Sequence, residues 1–272
     1  MSGTVTDLCP LPEVLSLSGG STSERVVRSG PKRRSRTFVW TFRMIAGGLA
    51  VAAITGAASI AVSRIQTVQS EQCRANLGRL GLALHTYLDE KGSLPAAALM
   101  SRAGRPLLSW RVAILPYLGR RDLFERFRLD ESWDSPHNRA LLSQMPEVYA
   151  CPSDPGRQEG LTRYQVIVGP EGVWDGVKPL FERARGVDIR EVTDGTSNTL
   201  MVVESGQLVP WTKPDDLYFA QDLPTPTFGS RHAGGFNVVL ADGTARFLRW
   251  SLPAETLRSL VTKDGGEVVE SA

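Results

Sequence analysis

The pattern of apolar and polar positions opens with a long apolar stretch near the N-terminus. Residues 44–63 carry no charge and are bounded by Arg43 and Arg64. A helix of twenty residues is about 30 Å long, the thickness of the hydrocarbon core of a bilayer. Half of the stretch is Ala or Gly, so a buried core helix and a signal peptide cleaved near Ala61 are alternatives. We predict a transmembrane segment over residues 38–63.

The helical pattern continues beyond this stretch. Residues 57–77 contain neither Gly nor Pro, and leucines then recur at the three- and four-residue spacing of a helix face. These leucines are Leu77, Leu80, Leu84 and Leu88. Gly92 is a favourable C-terminal stop, and Pro95 cannot continue a helix. The sequence therefore predicts one helix over about 38–91, with its second half packed on a folded domain.

Small residues line one face of the first half of that helix. Gly48, Ala52 and Gly56 recur every four residues. Side chains of this size let two helices approach closely, although Ala and Gly are also simply frequent in this stretch. These three positions are a predicted helix-packing face.

Shorter patterns after the helix predict a sheet. Residues 162–168 alternate between apolar and polar, 199–203 form an apolar run, and 236–241 and 244–250 flank an Asp-Gly pair. A Ser-Pro pair at 135–136 is typical of a helix start. The predicted fold class is α+β: a long N-terminal transmembrane helix that continues into an outer domain with an antiparallel sheet.

The charge distribution refines this organisation. Residues 1–43 carry seven Lys or Arg and three acids, a net +4, which leaves −2 for the rest of a chain of net charge +2. Basic residues beside a span remain cytoplasmic. We predict a single-pass membrane protein with a disordered basic cytoplasmic tail (1–37), an extracytoplasmic domain (64–263) and a flexible C-terminal tail (264–272). The acidic balance of the folded part argues against nucleic-acid binding.

Several motifs follow one another in a fixed order between residues 72 and 250. They are Cys73-Arg-Ala-Asn-Leu-Gly-Arg-Leu-Gly-Leu-Ala-Leu-His85, Ser109-Trp-Arg-Val-Ala-Ile-Leu-Pro-Tyr-Leu118, Trp133-Asp-Ser-Pro-His-Asn138, Cys151-Pro-Ser-Asp-Pro155, Thr193-Asp-Gly-Thr-Ser-Asn-Thr199 with Glu204, and His232 with Asp242-Gly243. Together they resemble the bacterial domain-of-unknown-function 1559 family. Its members pair a type IV pilin-like or pseudopilin-like N-terminal helix with an H-x9-DG motif near the C-terminus.

The resemblance implies a pilin-like architecture and, as partners, the membrane and other pilin-like subunits or envelope components. One departure concerns the prepilin-type cleavage site, Gly-Phe-Thr-Leu-x-Glu, at the start of the span. Here residues 36–41 read Arg-Thr-Phe-Val-Trp-Thr, without the Gly and the Glu. We therefore expect a permanently anchored monomer or small oligomer rather than a processed subunit.

The His232 motif has a structural interpretation. Asp-Gly between two strands is a strong hairpin signal, because a two-residue type I′ turn needs positive φ at both positions. This turn explains the presence of Asp242 and Gly243 without a catalytic or binding role for either residue. It also places His232 at the other end of the hairpin, so a catalytic pair of His232 and Asp242 conflicts with strand geometry.

The motif at residues 193–199, the central motif of the set, also predicts a turn. Asp194-Gly195 is a turn signal, and Ser197 and Asn198 carry side chains that bond nearby backbone. The nucleophile elbow of α/β-hydrolases, G-x-S-x-G, lacks its second Gly here. Ser197 is therefore not predicted to be a nucleophile.

Cysteines and carboxylates supply the remaining candidates. Cys73 and Cys151 are a candidate disulfide in the extracytoplasmic domain, although their spacing does not decide whether they pair. Three His without C-x-x-C or H-x-x-x-H do not indicate zinc. The resemblance to pseudopilins adds a calcium hypothesis with Asp194, Glu204 and Asp242 as ligands; otherwise no cofactor is predicted.

Three functions are consistent with the sequence. The favoured hypothesis is a membrane-anchored, pilin-like structural or assembly protein of the bacterial cell envelope, without catalysis. The second is an extracytoplasmic ligand-binding module, for example for glycans, which would use exposed Trp174 and Trp211. The third is a periplasmic hydrolase using His232 or Ser197, for which no catalytic spacing is present.

Overall fold

The computed structural model describes residues 36–154, 159–169, 179–220 and 224–266, with side chains from Thr55 onward. Tertiary contacts divide the chain into two units, Met1–Ile54 and Thr55–Ala272. The predicted disordered tail lies outside the described residues up to position 35, and so do residues 267–272 of the predicted C-terminal tail.

The first element is the long helix α1, Arg36–Lys91, which ends at Gly92 in a left-handed conformation (φ 77°). The prediction that its first half crosses a membrane is wrong. Among the residues that the structure describes, no helix is long and apolar enough to span a bilayer. The physical reason lies in the length of the described apolar stretch. Of the predicted span, only residues 55–63 have described side chains, and nine uncharged residues before Arg64 make a helical stretch of about 14 Å, shorter than the hydrocarbon core of a bilayer. The predicted single-pass membrane localisation, with the N-terminus inside and the domain outside, is corrected with it.

Among the described residues, eight strands and four short α-helices follow α1. They are β1 (Ala98–Met100), β2 (Pro106–Ser109), α2 (Trp110–Ala113), α3 (Arg121–Phe124), α4 (Pro136–Arg139), β3 (Leu161–Gln165), β4 (Ile167–Val168), β5 (Leu200–Pro210), β6 (Leu217–Tyr218), β7 (Gly235–Leu240), β8 (Ala245–Arg249) and α5 (Ala254–Ser259). Within the described ranges, β3-β5-β7-β8 form an antiparallel sheet. β1 and β2 form a small antiparallel sheet, and β4 and β6 form a small parallel one. The α+β part of the predicted fold class is therefore consistent with the structure only in part, since β4 and β6 pair in parallel, and its transmembrane part is wrong.

Both faces of the four-stranded sheet are covered. On one face the second half of α1, through Cys73, Leu77, Leu80 and Leu84, packs into a core that includes Val202 and Val239. On the other face a second apolar cluster joins the sheet to the segment around α5; its members include Val203, Phe236, Val238, Leu260 and Val261. This explains why β7 is buried at every position. In a sheet with one solvent-exposed face, buried and exposed residues would alternate along the strand.

The turn between β7 and β8 differs from the predicted type. The backbone N–H of Gly243 donates to Leu240 O at 2.8 Å, so Ala241 and Asp242 are the central residues of the turn. Gly243 follows with φ 83°. A turn of this kind followed by a left-handed Gly is the three-residue hairpin loop with a bulge, rather than the two-residue type I′ loop. The Asp242 side chain accepts from the backbone N–H of Thr244 at 2.8 Å.

Candidate functional site

A row of polar residues crosses the sheet on the face that α1 covers. In the register of β3 and β5, Tyr164 lies opposite Glu204. The pairing of Val203 with Val238 places Asn237 beside Glu204 on β7. The Glu204 carboxylate is fully buried, and its Oε2 accepts from the backbone N–H of Asn237 at 2.7 Å. One carboxylate oxygen is therefore fixed by the neighbouring strand.

Three further side chains from separate segments meet Glu204. Cys73 comes from α1, Cys151 from the loop before β3, and His232 from the segment that precedes β7. All four residues are buried, with exposed fractions between 0 and 5%. Their ligand atoms, the two sulfurs, one carboxylate oxygen and a ring nitrogen, lie within 4.8 Å of one another.

The distances around the His232 ring define the geometry. His232 Nε2 lies 3.6 Å from Cys151 Sγ and 3.3 Å from Glu204 Oε1. Glu204 Oε1 and the second ring nitrogen, His232 Nδ1, have no hydrogen-bond partner among the described residues. The sulfur and the carboxylate oxygen thus approach the same ring nitrogen.

The close packing of these groups shifts their pKa values. Interaction with Cys151 and burial both raise the pKa of Cys73. Interaction with Cys73 lowers the pKa of Cys151 to about 6; burial opposes this shift and His232 reinforces it. Burial alone lowers the pKa of His232, but Cys151 and Glu204 outweigh burial and raise it to about 9. Without further ligands, the site therefore favours a Cys151 thiolate beside a His232 imidazolium.

This arrangement does not match a nucleophilic triad. A triad base uses one ring nitrogen for the nucleophile and the other for the carboxylate that orients it. Here Cys151 and Glu204 both lie at Nε2 of His232. A thiolate that is 2% exposed is also closed to a substrate. The four side chains can hold a metal ion, and the two cysteines can form a disulfide.

A buried ion pair fixes the loop that carries Cys151. Arg163 on β3 donates through Nε to Asp154 at 2.6 Å, and through Nη1 to the carbonyls of Ser205 and Gly206 at 3.1 and 3.2 Å. Asp154 lies three residues after Cys151, and Ser205 directly follows Glu204. The guanidinium therefore fastens the Cys151 loop to the stretch of β5 that presents Glu204.

An open groove borders the cluster. It has a volume of about 380 Å³ and lies between α1, at Ser63 to Arg74, and the segment containing His232 and Asn237. His232 therefore connects the buried cluster with the surface.

The two halves of the predicted His232 motif have different partners in the structure. Asp242 caps the hairpin turn. At that end of the hairpin, the histidine is His85 of α1, whose Nε2 lies 3.0 Å from Ala241 O. His232 instead joins the two cysteines and Glu204.

The acidic residues of the calcium hypothesis are not brought together. The Asp194 carboxylate accepts from the backbone N–H groups of Gly265 and Gly266 at 2.6 and 2.9 Å. Asp242 bonds within its own turn, and Glu204 faces Cys151 and His232. Each carboxylate therefore has separate partners.

The central motif is a structural turn joined to the C-terminal segment through Asp194. Gly195 has φ 94°, and Asn198 Nδ2 donates to Asp194 O at 3.3 Å. Ser197 is exposed and does not belong to the cluster of Cys, His and acidic side chains.

The remaining predicted sites have different outcomes. Cys73 and Cys151 are brought together, as a disulfide requires, and both are free thiols in the structure. A methyl group added at Gly56 would meet no described atom within 4 Å, whereas the side chains of Gly48 and Ala52 lie outside the description.

Of the two tryptophans proposed for a ligand-binding module, the described one, Trp211, does not support that hypothesis. Trp211 is fully buried, stacks on Tyr149 and donates from Nε1 to Leu142 O at 3.0 Å. Trp174 lies outside the described residues.

The sequence did not predict that Cys73, Cys151, Glu204 and His232 form one cluster. Sequence separations of 28 to 78 residues between successive members give no local ligand spacing. One signal was available in the sequence: each of the four residues belongs to a different motif of the ordered set, with Glu204 five residues after the motif that ends at Thr199.

Comparison with known protein families identifies one family that matches this chain. A sequence model described as a protein of unknown function (DUF1559) matches residues 70–222, which is more than half of the 272 residues. The match confirms the resemblance at the level of the family. It contains Cys73, Cys151 and Glu204, whereas His232 and the Asp242-Gly243 turn lie beyond it and remain untested by it. No curated protein and no solved structure matches the chain.

Proposed function

This chain belongs to the DUF1559 family, and we propose that it is a non-catalytic, pilin-like structural or assembly protein. In this proposal, copies of the chain associate through the exposed turns of α1. The second half of the same helix anchors each copy in its folded domain.

The observation that carries the proposal is the change in burial along α1. Every residue from Thr55 to Val68 is exposed, whereas Cys73, Leu77, Leu80 and Leu84 lie in the core. A helical segment of fourteen exposed residues gains no stability from packing within its own domain.

The exposed turns carry large apolar side chains. Val62, Ile65 and Val68 follow one another at three-residue spacing and are 54, 56 and 67% exposed, and Ile60 is exposed as well. Side chains three apart on a helix are neighbours and form a continuous stripe. An apolar stripe of this kind is typical of an interaction surface.

Small residues lie beside the stripe. Gly56, Ser63 and Thr67 share one face of the helix, and the Thr67 hydroxyl donates to Ser63 O at 3.0 Å. The Ser59 hydroxyl likewise donates to Thr55 O at 2.9 Å. Because these two hydroxyl donors bond within the helix, a second helix can approach without leaving them unpaired.

A second copy of α1 is the partner that this surface suits. The stripe is apolar, so it needs an apolar surface opposite, and another copy supplies the same stripe. Two copies related by a two-fold axis bury the same residues on both sides. The pilin-like resemblance of the motif set agrees with association through the long helix.

The absence of catalysis in this proposal rests on the buried cluster. Cys151 and Glu204 both approach Nε2 of His232, which leaves no relay from carboxylate to base to nucleophile.

The test is the association of the full chain in solution. We expect sedimentation velocity over a range of concentrations to show reversible association. Ile65→Lys should raise the dissociation constant at least about tenfold, because burial of an Ile side chain contributes about 1.5–3 kcal/mol.

Leu82→Lys is the matched control. Leu82 is an equally apolar residue of α1, 69% exposed, but it lies beyond the exposed turns, so this variant should associate like the unmodified chain. A chain that stays monomeric at all concentrations, or equal effects of the two substitutions, would overturn the proposal.

A further inference from the structure

The cluster of Cys73, Cys151, Glu204 and His232 is a closed site with four ligands, and we propose that it binds one zinc ion. This inference is independent of the association through α1, because none of the four residues belongs to the exposed turns.

The donor set selects the metal. Cysteine sulfur, imidazole nitrogen and carboxylate oxygen are all zinc ligands, and this set differs from the Cys2His2 set of structural zinc sites by one carboxylate in place of an imidazole. Thiolate ligands are soft and disfavour calcium and magnesium, which bind oxygen atoms. The donor set therefore differs from that of the calcium hypothesis, with Glu204 the one residue common to both.

The two distances that meet at His232 Nε2 fit a common central ion. For bonds of about 2.3 Å to sulfur and about 2.1 Å to nitrogen and oxygen, a tetrahedron has edges of about 3.6 Å (sulfur to nitrogen) and about 3.4 Å (nitrogen to oxygen). The observed separations are 3.6 Å from Cys151 Sγ to His232 Nε2 and 3.3 Å from His232 Nε2 to Glu204 Oε1.

A buried oxygen without a hydrogen bond also supports a bound cation. Glu204 Oε1 is buried and has no hydrogen-bond partner among the residues that the structure describes, although its other oxygen is held by Asn237. The charged group beside Glu204 Oε1 is His232 Nε2 at 3.3 Å, which Cys151 Sγ also approaches, and a buried polar atom without a hydrogen bond is costly. A cation shared with the imidazole and both sulfurs removes that cost.

The surroundings provide orientation and access. Asn237 fixes the Glu204 carboxylate, and the Arg163–Asp154 pair fixes the Cys151 loop. Partners of this kind orient metal ligands and contribute to affinity. The groove of about 380 Å³ bordered by His232 is an entry path for the ion.

The four ligands come from four separate segments, so the ion cross-links the fold. Cys73 is the first buried residue of α1 among those described, and zinc there fastens the helix to β5 and to the segment before β7. With all four positions occupied by protein atoms, the ion has a structural role.

The experiment uses the full chain, reduced and stripped of metal with a chelator, and titrates it with Zn²⁺ and separately with Co²⁺. We expect one ion per chain. Bound Co²⁺ should show the visible bands of a tetrahedral site and the near-ultraviolet charge transfer of cobalt–thiolate bonds. Zn²⁺ should displace it and raise the melting temperature.

Matched variants assign the ligands. Cys151→Ser and Glu204→Gln should reduce bound zinc to well below one per chain. Cys9→Ser, at the third cysteine of the chain, and His85→Gln, at a histidine outside the cluster, should bind zinc like the unmodified chain. The cobalt spectrum of the unmodified chain tests thiolate ligation even where a variant fails to fold.

The alternative to a zinc site is a disulfide between Cys73 and Cys151. If the disulfide forms, the non-reduced chain, unfolded in alkylating reagent at harvest, would show one free thiol instead of three. The reduced chain would then bind no Co²⁺ with thiolate bands. That result would overturn the zinc site and leave the association through α1 untouched. Equal zinc binding by Cys151→Ser and Cys9→Ser would overturn it as well.

Discussion

At the scale of single residues, a buried charge pair between Arg111 and Asp216 stands out. Arg111 is fully buried, and its Nη2 donates to Asp216 Oδ1 at 2.8 Å. The same oxygen accepts from Trp110 Nε1 at 3.2 Å and from the backbone N–H of Val166 at 3.1 Å. Arg111 also donates to Tyr164 O at 2.8 Å. The pair thus joins α2 to the segments beside β4 and β6.

We expect Asp216→Asn to destabilise the protein by about 3 kcal/mol, because it keeps the shape of the side chain and leaves the Arg111 charge buried without compensation. Urea unfolding measures this loss. Glu131→Gln, at the exposed pair of Arg128 and Glu131, is the control and should cost less than about 1 kcal/mol. Equal losses in the two variants would contradict a special role for the buried pair.

The sequence did not predict this pair. The neighbouring Leu108, Trp110 and Val112 are all buried. Arg111 stands between apolar residues, and its partner lies 105 residues away. An isolated charge is too costly to bury, so Arg111 needs a carboxylate partner. Only the tertiary fold brings that partner close to it.

At the scale of elements, the contact between α1 and the β7–β8 hairpin shows why Gly occurs inside the helix. A methyl group at Gly81 would lie 2.9 Å from both Gly243 O and Val239 Cγ1. One turn further along α1, His85 Nε2 lies 3.0 Å from Ala241 O. The turn of the hairpin therefore rests directly on the helix.

Gly81→Ala is expected to destabilise the protein by about 1–2 kcal/mol, since the clash with backbone outweighs the gain of about 1 kcal/mol in helix propensity. Thermal or urea unfolding gives the value. Gly78→Ala is the matched control on the same helix. Its methyl group would meet Ala245 Cβ at 3.8 Å, an ordinary contact, so this variant should be neutral or stabilised by up to about 1 kcal/mol. If Gly81→Ala stabilised the protein as much, the close contact would be disproved.

At the scale of the whole molecule, one charged network joins distant parts of the chain. Lys263, near the C-terminus, is 2% exposed at its side chain and lies 2.9 Å from Glu191 and 3.5 Å from Glu182. Arg185 donates to both carboxylates. Hydrogen bonds from Arg185, and then from Lys263, lower the pKa of Glu191 despite its partial burial.

This network predicts a pH dependence with a definite sign. Because the pKa of Glu191 is lower in the folded state, its contribution is complete above the unfolded value of about 4.3 and is lost as the pH falls toward the folded value. Glu191→Gln should cost about 1 kcal/mol at neutral pH, since the network is partly exposed. Urea unfolding should show the difference between the variant and the unmodified chain shrink in acid below about pH 4.

Glu71→Gln, at an exposed ion pair of α1, is the control and should cost little at any pH. A Glu191→Gln deficit that stayed constant from neutral to acidic pH would rule out the charged contribution and leave only a neutral hydrogen bond.

The sequence by itself determined the local elements. Leucine spacing and the stop at Gly92 predicted the end of α1, alternation predicted β3, and the Asp-Gly pair predicted the β7–β8 hairpin. The ordered motifs also determined the family. These features depend on residues close in sequence, where backbone preferences and side-chain periodicity act directly.

Only the tertiary structure decided how the motifs combine. The sequence suggested a pairing of Cys73 with Cys151 and a calcium role for Glu204, but not that both cysteines meet Glu204 and His232. That convergence follows from packing α1 on the sheet and fastening the Cys151 loop through Arg163. Contacts between residues far apart in sequence depend on the sum of many weak packing energies. They therefore cannot be predicted from the spacing of residues along the chain.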